Sequence, residues 1–307
     1  MKLKRIFKTI LIITASLVLL LFVLKYLWVD TASIPQDTDY FADIRAIRKL
    51  AAADSSELPL KIKSLKVGEG QFPAWLVIAG GAGKKSYTFH FRTFQVIYPK
   101  ASIVIDPVHG PKAHKEFDFA TEYSAENFEF VQQALLRADE IICTHEHWDH
   151  VGGIAHSPHF DKIRDKSILT QEQINSAIIQ EANFPAGSLE TLEPLKYENY
   201  HTLAPGMVLI KAPGHTPGSQ MIFVRLKNGQ EYLFLGDIAW TMDNINQLTG
   251  HSRLVSWLGE ENRKQQFAQI RWLYNLQQHE KVVLISAHDS EQHKQYISQG
   301  LFSEGLE

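Results

Sequence analysis

The chain opens with a basic segment followed by a long apolar run. The basic residues are Lys2, Lys4, Arg5 and Lys8. The stretch from Ile10 to Leu24 carries no charge, and with Tyr26 and Trp28 it reaches about 20 residues, enough for a helix to cross a hydrocarbon core. An excess of Lys and Arg marks the cytoplasmic side of such a helix. The pattern predicts a membrane anchor within residues 1–30, with the rest of the chain outside the cytoplasm.

A cleaved signal peptide is the alternative interpretation of residues 1–30. No Ala-x-Ala site follows the apolar run, and Thr31-Ala32-Ser33 is a poor substitute for one. We therefore expect a single-pass protein of the inner membrane in which the chain after residue 30 faces the periplasm. A cleaved chain would instead be periplasmic or secreted.

Residues 31–60 show a different pattern, in which apolar residues recur at helical spacing among charges. Tyr40, Ile44, Ile47 and Leu50 carry this spacing between Pro35 and Pro59. We interpret this region as a linker with an accessory helix that packs on the domain following it.

From Lys61 to Asp106 the pattern changes to short runs that favour strands, separated by glycine-rich turns. The runs are Trp75–Ile78, Tyr87–Phe94 and Ser102–Ile105. The cluster Gly80–Gly83 lacks the Gly-Lys-Ser/Thr that opens a helix in a phosphate-binding loop, so we interpret it as a hairpin turn. This part of the chain predicts antiparallel strands.

Beyond Asp106 predicted helices and strands alternate. Helices are expected at Ser124–Arg137, Gln171–Ala182, Glu260–His279 and from Asp289 onward. Strands are expected at Glu140–Thr144, Met207–Ala212, Met221–Leu226, Tyr232–Leu235 and Val282–Ile285. The pattern predicts one α/β domain over residues 61–307, with its sheets buried between helices.

Composition adds two limits to this picture. The net charge of −3 and the pI near 6.5 leave no basic surplus for phosphate backbones, so we expect no nucleic-acid partner. Cys143 is the single cysteine, so no disulfide can form within the chain. We expect Cys143 to behave as a small apolar residue on a buried strand.

The candidate chemistry is concentrated where the strand Glu140–Thr144 ends. The chain there reads Thr-His-Glu-His-Trp-Asp-His, which places four potential ligands within six residues: His145, His147, Asp149 and His150. Imidazole and carboxylate groups suit zinc, and they also suit iron or manganese. Three more candidates, His215, Asp237 and His288, each follow a predicted strand. The sequence therefore predicts a metal site built from several strand ends.

In order, these motifs closely resemble those of the metallo-β-lactamase superfamily, over roughly Phe72 to Asp289. The resemblance implies a four-layer αββα sandwich with two divalent metal ions at one edge, zinc being the default. One ion would be held by His145, His147 and His215, and the other by Asp149, His150 and His288. Asp237 would bridge them. A metal-bound hydroxide would then attack an ester carbonyl, and Asp149 would carry a proton to the leaving group.

Within the superfamily, two features favour a lactone substrate. The bridging aspartate is typical of relatives such as glyoxalase II, and the closing run His288-Asp289-Ser290-Glu291-Gln292 resembles N-acyl homoserine lactonases. Those lactonases place a tyrosine three residues after the bridging aspartate, where this chain has Trp240. The alternatives are a thioester, phosphodiester or β-lactam hydrolase using the same site, or a metal-binding sensor without catalysis.

The remaining candidates surround the site. We expect Asp106 to support the metal loop by hydrogen bonding rather than as a ligand. Trp148 and Trp240 are candidates for the substrate pocket, and Phe91, Phe94 and Trp257 could line it or belong to the core. The other histidines lack ligand spacing, and we expect most of them at the surface or in loops, with His109 near the pocket: His109, His114, His156, His159, His201 and His251.

Overall fold

The computed structural model describes residues 2–31, 33–52 and 57–307. Met1 in the predicted anchor, and Ala32 and residues 53–56 in the predicted linker, lie outside the described residues. Ala32 is also part of the weak cleavage site Thr31-Ala32-Ser33.

The predicted anchor forms a helix, α1 (Lys2–Lys25), which continues as a π-helical turn over Tyr26–Asp30. None of the described residues of these two segments is buried. Among the described residues, this is the one helix that is long and apolar enough to cross a membrane, judged by length and composition alone. The apolar helix is therefore present, and its insertion into a membrane stays a prediction.

The rest of the described chain alternates between short helices and strands. The helices are α2 (Ile44–Ala51), α3 (Ala74–Val77), α4 (Pro111–Glu116), α5 (Ala125–Arg137), α6 (Trp148–Ala155), α7 (Phe160–Ile163), α8 (Gln171–Asn175), α9 (Met242–Asn246), α10 (Arg253–Leu258), α11 (Arg263–His279) and α12 (Ser290–Ser298). The strands are β1 (Lys61–Pro73), β2 (Ser86–Ile97), β3 (Ser102–Ile105), β4 (Ala120–Tyr123), β5 (Glu140–Ile142), β6 (Ser167–Ile168), β7 (Tyr200–Ala204), β8 (Met207–Lys211), β9 (Gln220–Arg225), β10 (Glu231–Phe234), β11 (Val282–Ile285) and β12 (Ser303–Glu304).

The strands described here form two sheets. The first has the order β12-β1-β2-β3-β5-β6, with β4 paired to β1, and the second has the order β11-β10-β9-β8-β7. β3, β5 and β6 are parallel to one another, as are β10 and β11. Parallel neighbours bring the chain that follows each strand to the same edge, which is where a site can be assembled from separate segments.

Three apolar clusters define the layers. Side chains of both sheets meet in the central cluster, where the rings of Phe94 and Phe234 lie 5.0 Å apart. The outer face of the first sheet packs on α5 and α6, and the outer face of the second packs on α2, α9 and α11. The order of layers is therefore helix, sheet, sheet, helix, and the α/β fold predicted from the sequence is confirmed.

The accessory helix α2 is fixed to the second sheet. The Asp43 carboxylate caps it by accepting hydrogen bonds from the backbone N–H groups of Arg45 and Ala46. Ile47 is fully buried in the outer cluster, and Arg48 forms ion pairs with Glu231 and Glu280, each at 2.7 Å. The domain boundaries at residues 30 and 60 stay a prediction.

Several predicted elements were wrong in detail. Trp75–Ile78 was predicted as a strand, but Ala74 and Val77 are buried at helical spacing and form α3. Gly80–Gly83 belongs to a 3₁₀ turn in residues 74–85, which connect the antiparallel strands β1 and β2, so the connection is longer than the hairpin turn that was predicted. The predicted helix Gln171–Ala182 breaks at Ser176 into α8 and a 3₁₀ segment.

Candidate metal centre

The predicted ligands lie where strands of both sheets end. His145 and His147 follow β5, and Asp149 and His150 occupy the first turn of α6. The remaining three follow strands of the second sheet: His215 after β8, Asp237 after β10 and His288 after β11. The structure thus brings together all seven ligands that the sequence predicted, at one edge of the two sheets.

The backbone before Asp237 requires a glycine. Gly236 has a φ of 54°, in the left-handed region, and a Cβ there would lie 2.9 Å from Cβ of Thr144. The end of β10 therefore lies directly against the chain that follows β5. Asp237 is consequently held against the histidine loop of the first sheet.

Three imidazoles form the first ligand group. Nδ1 of His147 lies 2.9 Å from Nε2 of His145 and 2.9 Å from Nε2 of His215. His145 and His215 are buried, and His147 is half-buried. Burial lowers the pKa of His145 well below its ordinary value, and burial and the charge of His215 lower that of His147 to about 3. These two rings are therefore neutral at pH 7, which is the form that binds a metal ion.

A carboxylate and two imidazoles form the second group. Oδ2 of Asp149 lies 3.7 Å from Nε2 of His150 and 3.6 Å from Nε2 of His288. Burial raises the pKa of Asp149, although the charges of the two histidines oppose this shift. A carboxylate in such surroundings takes up a proton more readily than an exposed one.

Asp237 lies between the two groups and faces each with a different oxygen. Its Oδ2 is 3.4 Å from Nε2 of His215 and 3.7 Å from Nε2 of His145. Its Oδ1 is 3.3 Å from Nε2 of His150 and 3.2 Å from Nε2 of His288. One carboxylate is therefore shared between two sets of ligands.

The outer nitrogens of the histidines are occupied by acceptors. Nδ1 of His150 lies 3.0 Å from Oδ2 of Asp106, Nδ1 of His215 lies 2.8 Å from Oε1 of Glu261, and Nδ1 of His288 lies 3.1 Å from a backbone carbonyl. A proton on each outer nitrogen leaves the lone pair of the inner Nε2 directed at the centre. Oδ1 of Asp237 and Nε2 of His150 are buried without a hydrogen-bond partner. The donor set therefore fits two divalent cations.

The family comparison supports the same assignment. The model of the metallo-beta-lactamase superfamily matches residues 94–257, which is 164 of the 307 residues. The chain belongs to the metallo-β-lactamase superfamily. The resemblance found in the sequence is confirmed, and the matched range contains six of the seven ligands, all except His288.

The relatives found among curated proteins are lactonases. The chain is 25% identical over 157 residues to N-acyl homoserine lactonase AiiA of Bacillus thuringiensis subsp. kurstaki, and 25% identical over 154 residues to the N-acyl homoserine lactonase of Bacillus cereus. Each alignment covers 50% of this chain and 57% of the relative. The match thus spans little more than half the length of these proteins.

Solved structures show the same fold. An N-acyl homoserine lactone hydrolase with N-hexanoyl-L-homoserine at its catalytic metal centre has a TM-score of 0.59 and 18% identity, covering 78% of this chain and 96% of that one. AidC, a dizinc quorum-quenching lactonase, has a TM-score of 0.54 and 14% identity, covering 76% and 90%. At these identities the likeness establishes the metallo-β-lactamase fold.

Asp106 supports the superfamily's histidine loop, the role expected for it. Its Oδ1 accepts a hydrogen bond from the backbone N–H of Thr144, and its Oδ2 accepts one from the Thr144 hydroxyl as well as facing His150. Glu146 points away from the centre, where it accepts hydrogen bonds from the Thr216 hydroxyl and the Gly218 N–H. It ties the His145–His147 segment to the loop that carries His215.

Sequence reasoning missed a buried carboxylate beside this superfamily site. Oε1 of Glu261 lies 2.8 Å from Nδ1 of His215 and 2.7 Å from Nδ1 of His251. Burial would raise the pKa of Glu261, but the charge of His251 and the hydrogen bond from His215 lower it well below the ordinary value. Glu261 is therefore an anion that orients a predicted ligand. No local motif marks it, because it lies between α10 and α11.

Three of the other histidines, His109, His114 and His251, are buried; His109 and His251 lie in loops, as expected, whereas His114 lies on α4. His251 is fully buried beside Glu261, and His114 is buried with its Nδ1 2.9 Å from Nε2 of His109. His109 lies near the predicted pocket, since its ring is 4.6 Å from that of Trp148.

The two predicted pocket tryptophans are half-buried on either side of the centre. Trp240 donates a hydrogen bond from Nε1 to Oδ2 of Asp237 at 2.8 Å, and its ring lies 3.9 Å from that of His251. Trp148 packs against Phe117, with ring centroids 5.3 Å apart. Trp240 therefore contacts the bridging carboxylate directly, and Trp148 belongs to an aromatic wall next to it. Of the other aromatic candidates, Phe91 is buried with its ring 5.5 Å from His288 and Phe94 belongs to the core between the sheets.

Proposed function

We propose that this chain is a dinuclear metal-dependent hydrolase that cleaves an ester, with a lactone carrying an apolar acyl part as the favoured substrate. The observation that carries the proposal is the division of Asp237 between two ligand groups, one oxygen to each. Superfamily membership and the names of the curated relatives support hydrolysis of a lactone.

Each of the two ligand groups would bind one divalent ion. His145, His147 and His215 would hold one divalent ion, Asp149, His150 and His288 the other, with Asp237 shared. When bound, the ions would lower the pKa of a water molecule and polarise a carbonyl, and zinc, iron and manganese all suit these donors.

Two carboxylates of the chain, Asp149 and Asp237, have roles in the proposed reaction. Oδ2 of Asp149 lies among the inner nitrogens of the second group, and burial raises its pKa, so it is placed to accept a proton from the attacking water and release it to the leaving oxygen. Trp240 uses its single N–H on Asp237, so it holds the bridging carboxylate.

An aromatic surface beside the second ligand group supports an apolar substrate. The ring of Phe89 stacks on the ring of His288 at 5.0 Å, and Phe72 stacks on Phe89 at 4.1 Å. Phe117 and Phe119 continue this surface and are half-buried. Phe72 and Phe89 are themselves buried, so an acyl chain would lie on the half-buried rings of Phe117 and Phe119 and remove their remaining apolar area from water.

The test is substrate profiling of the purified full chain in detergent. Hexanoyl and decanoyl homoserine lactones would be assayed beside a β-lactam, a thioester and a phosphodiester, for the wild type, for His147→Ala and for the matched loop control His159→Ala. We expect lactone turnover that His147→Ala and chelation abolish and that His159→Ala retains.

The other outcomes separate the alternatives. Turnover of a thioester, phosphodiester or β-lactam alone would keep the hydrolase and replace the substrate. Metal binding without turnover of any ester would favour the sensor. Full activity of His147→Ala in metal-free buffer would contradict the proposed site.

We also propose that α1 anchors the chain in the inner membrane, with the catalytic domain facing the periplasm. The exposed apolar helix, its basic start and the aromatic residues Tyr26 and Trp28 at its end support this arrangement. Retention in the membrane after an alkaline wash, with an intact N-terminus by peptide mass, is the expected result. Release with a shortened N-terminus would indicate a cleaved signal peptide.

A further inference from the structure

Large apolar side chains that are exposed outside the first 28 residues are few in the described chain. They are Phe41, Leu60, Trp75, Phe130, Trp257 and Leu258. Three of these six lie on helices that contact the turn Tyr26–Asp30 at the end of α1: Trp75 on α3, and Trp257 and Leu258 on α10. Half of the exposed apolar side chains of the domain therefore gather where the proposed anchor meets it.

The contact between the anchor and α10 is made by two tryptophans. The rings of Trp28 and Trp257 lie 6.2 Å apart, edge to face. Trp257 and Leu258 are each 65% exposed, far more than a pair of neighbouring apolar residues that packs inside a domain. Tryptophan is enriched where a membrane meets water, because its ring is apolar and its N–H remains hydrated.

The turn that carries Trp28 is attached to the domain at two places, one just before α10 and one just after α3. Ser33 pairs with Thr249 in an antiparallel bridge, two residues before His251. The backbone of Asp30 lies against Gly80, in the turn that follows α3. The end of the anchor is thus held beside both helices that carry the exposed side chains.

We propose that Trp75, Trp257 and Leu258 form a membrane-docking surface, which seats the catalytic domain on the bilayer that holds α1. This inference rests on the proposed anchoring of α1. A bilayer that contains the helix up to Lys25 has its interface at the level of Tyr26 and Trp28, and the contact with Trp28 brings Trp257 to that level. Burial of these side chains among lipid headgroups and upper acyl chains removes their apolar area from water.

Docking on this surface would bring the metal centre close to the bilayer. His251, which shares Glu261 with His215, directly precedes the Ser252 cap of α10. The six residues of α10 span about 9 Å. An ester with a long acyl chain, partitioned into the bilayer, would therefore meet the domain near its site.

The experiment uses the full chain reconstituted in lipid vesicles and a polarity-sensitive fluorophore on single introduced cysteines. Leu258→Cys reports on the docking surface, Leu11→Cys on the anchor, and Phe130→Cys on an exposed apolar position of α5. The native Cys143 is fully buried, so it does not compete for the label. Lipids that carry a spin label below the headgroup quench fluorophores at the interface, and lipids labelled deep in the acyl chain quench those in the core.

We expect loss of emission at Leu258→Cys with the shallow quencher, loss at Leu11→Cys with the deep quencher, and no loss at Phe130→Cys. Quenching at Leu11→Cys without quenching at Leu258→Cys would overturn the docking surface and leave the anchor in place. An unquenched Leu11→Cys would overturn the anchor and the docking surface together. Shielding of Leu258→Cys that depends on protein density in the vesicle, without quenching, would assign the surface to a second copy of the chain and also overturn the proposal.

Kinetic measurements with a substrate presented in vesicles test whether the docking surface affects substrate access. Trp257→Ser with Leu258→Ser should raise the KM for a decanoyl lactone presented in vesicles and leave kcat and the turnover of a soluble short-chain ester unchanged. Phe130→Ser is the matched control and should change neither. An unchanged KM in the double variant would contradict a role of the surface in substrate access.

Discussion

At the scale of single residues, the outer nitrogens of three of the five candidate histidine ligands face acceptors. Asp106, Glu261 and the carbonyl of His90 accept from the outer nitrogens of His150, His215 and His288. Orientation by such acceptors sets which nitrogen offers a lone pair to a metal ion. The metal centre is therefore larger than the seven side chains that the sequence motif contains.

Glu261→Gln tests this extension directly. The amide removes the negative charge that stabilises the His215 N–H, so we expect the affinity for one of the two metal ions to fall about 10–100-fold, with saturation still reached at excess metal. The measurement is a zinc titration in competition with a chromophoric chelator. Glu260→Gln is the control, because Glu260 is the exposed neighbour and should bind metal as the wild type does. Equal affinities of the two variants would show that Glu261 only fills space.

Seven candidate ligands could be named from the sequence because four of them are neighbours in the chain and each of the others follows a strand. His251 and Glu261 lie ten residues apart, on either side of α10 in the sequence, and approach His215 only through the packing of α10 and α11. No periodicity or spacing contains that information. The positions of Glu261 and His251 beside His215 depend on long-range packing, so the sequence alone could not predict them.

At the scale of elements, errors arose where tertiary contacts override local pattern. The long strand β1 was not among the predicted strand runs, and it contains Gly68 and Gly70. A Cβ on Gly68 would lie 2.9 Å from the ring of His114, so the glycine leaves room for a neighbouring helix. Glycine in a strand often marks such a close approach, and the approach itself is invisible in the sequence.

The helix α6, which follows His147 and carries Asp149 and His150, also contains a glycine in close contact with another segment. A Cβ on Gly153 would lie 1.7 Å from the carbonyl oxygen of Pro107, so α6 packs directly on the chain after Asp106. Alanine favours a helix over glycine by about 1 kcal/mol, but this clash forces α6 to shift. We expect Gly153→Ala to lower the free energy of unfolding by about 1–3 kcal/mol and to weaken metal binding.

Denaturant unfolding of the metal-loaded protein measures this effect. Gly259→Ala is the control, since a Cβ there would meet its nearest atom, the Val255 carbonyl oxygen, at 3.4 Å and should be tolerated. If Gly153→Ala proved as stable as Gly259→Ala, α6 would not be held against the segment that carries Asp106.

At the scale of the whole molecule, the four layers bring two sheet edges together at one site and leave the apolar helix α1 outside them. Alternation of strands and helices predicted the α/β class. The count of strands could not establish two facing sheets, and the family resemblance supplied that step. The predicted anchor rests on local pattern alone, because none of the described residues of α1 is buried in the domain.

The proposed orientation in the membrane rests on the basic residues before the apolar run. We expect replacement of Lys2, Lys4, Arg5 and Lys8 by Gln to reduce the fraction of chains whose catalytic domain lies outside the cytoplasm. Protease accessibility of the C-terminal domain in spheroplasts measures that fraction, with substitution of the exposed Lys100 by Gln as the control. An unchanged fraction in the fourfold variant would show that another feature determines orientation.

We propose that Asp237 joins two ligand groups, each of which would hold a metal ion. The most direct test is the number of metal ions per folded full-length chain, measured by elemental analysis for the wild type, for His215→Ala and for His288→Ala. We predict two ions for the wild type and one for each variant, since each removes a ligand from a different group. A folded wild-type chain that binds no metal ion, or only one, would contradict the account.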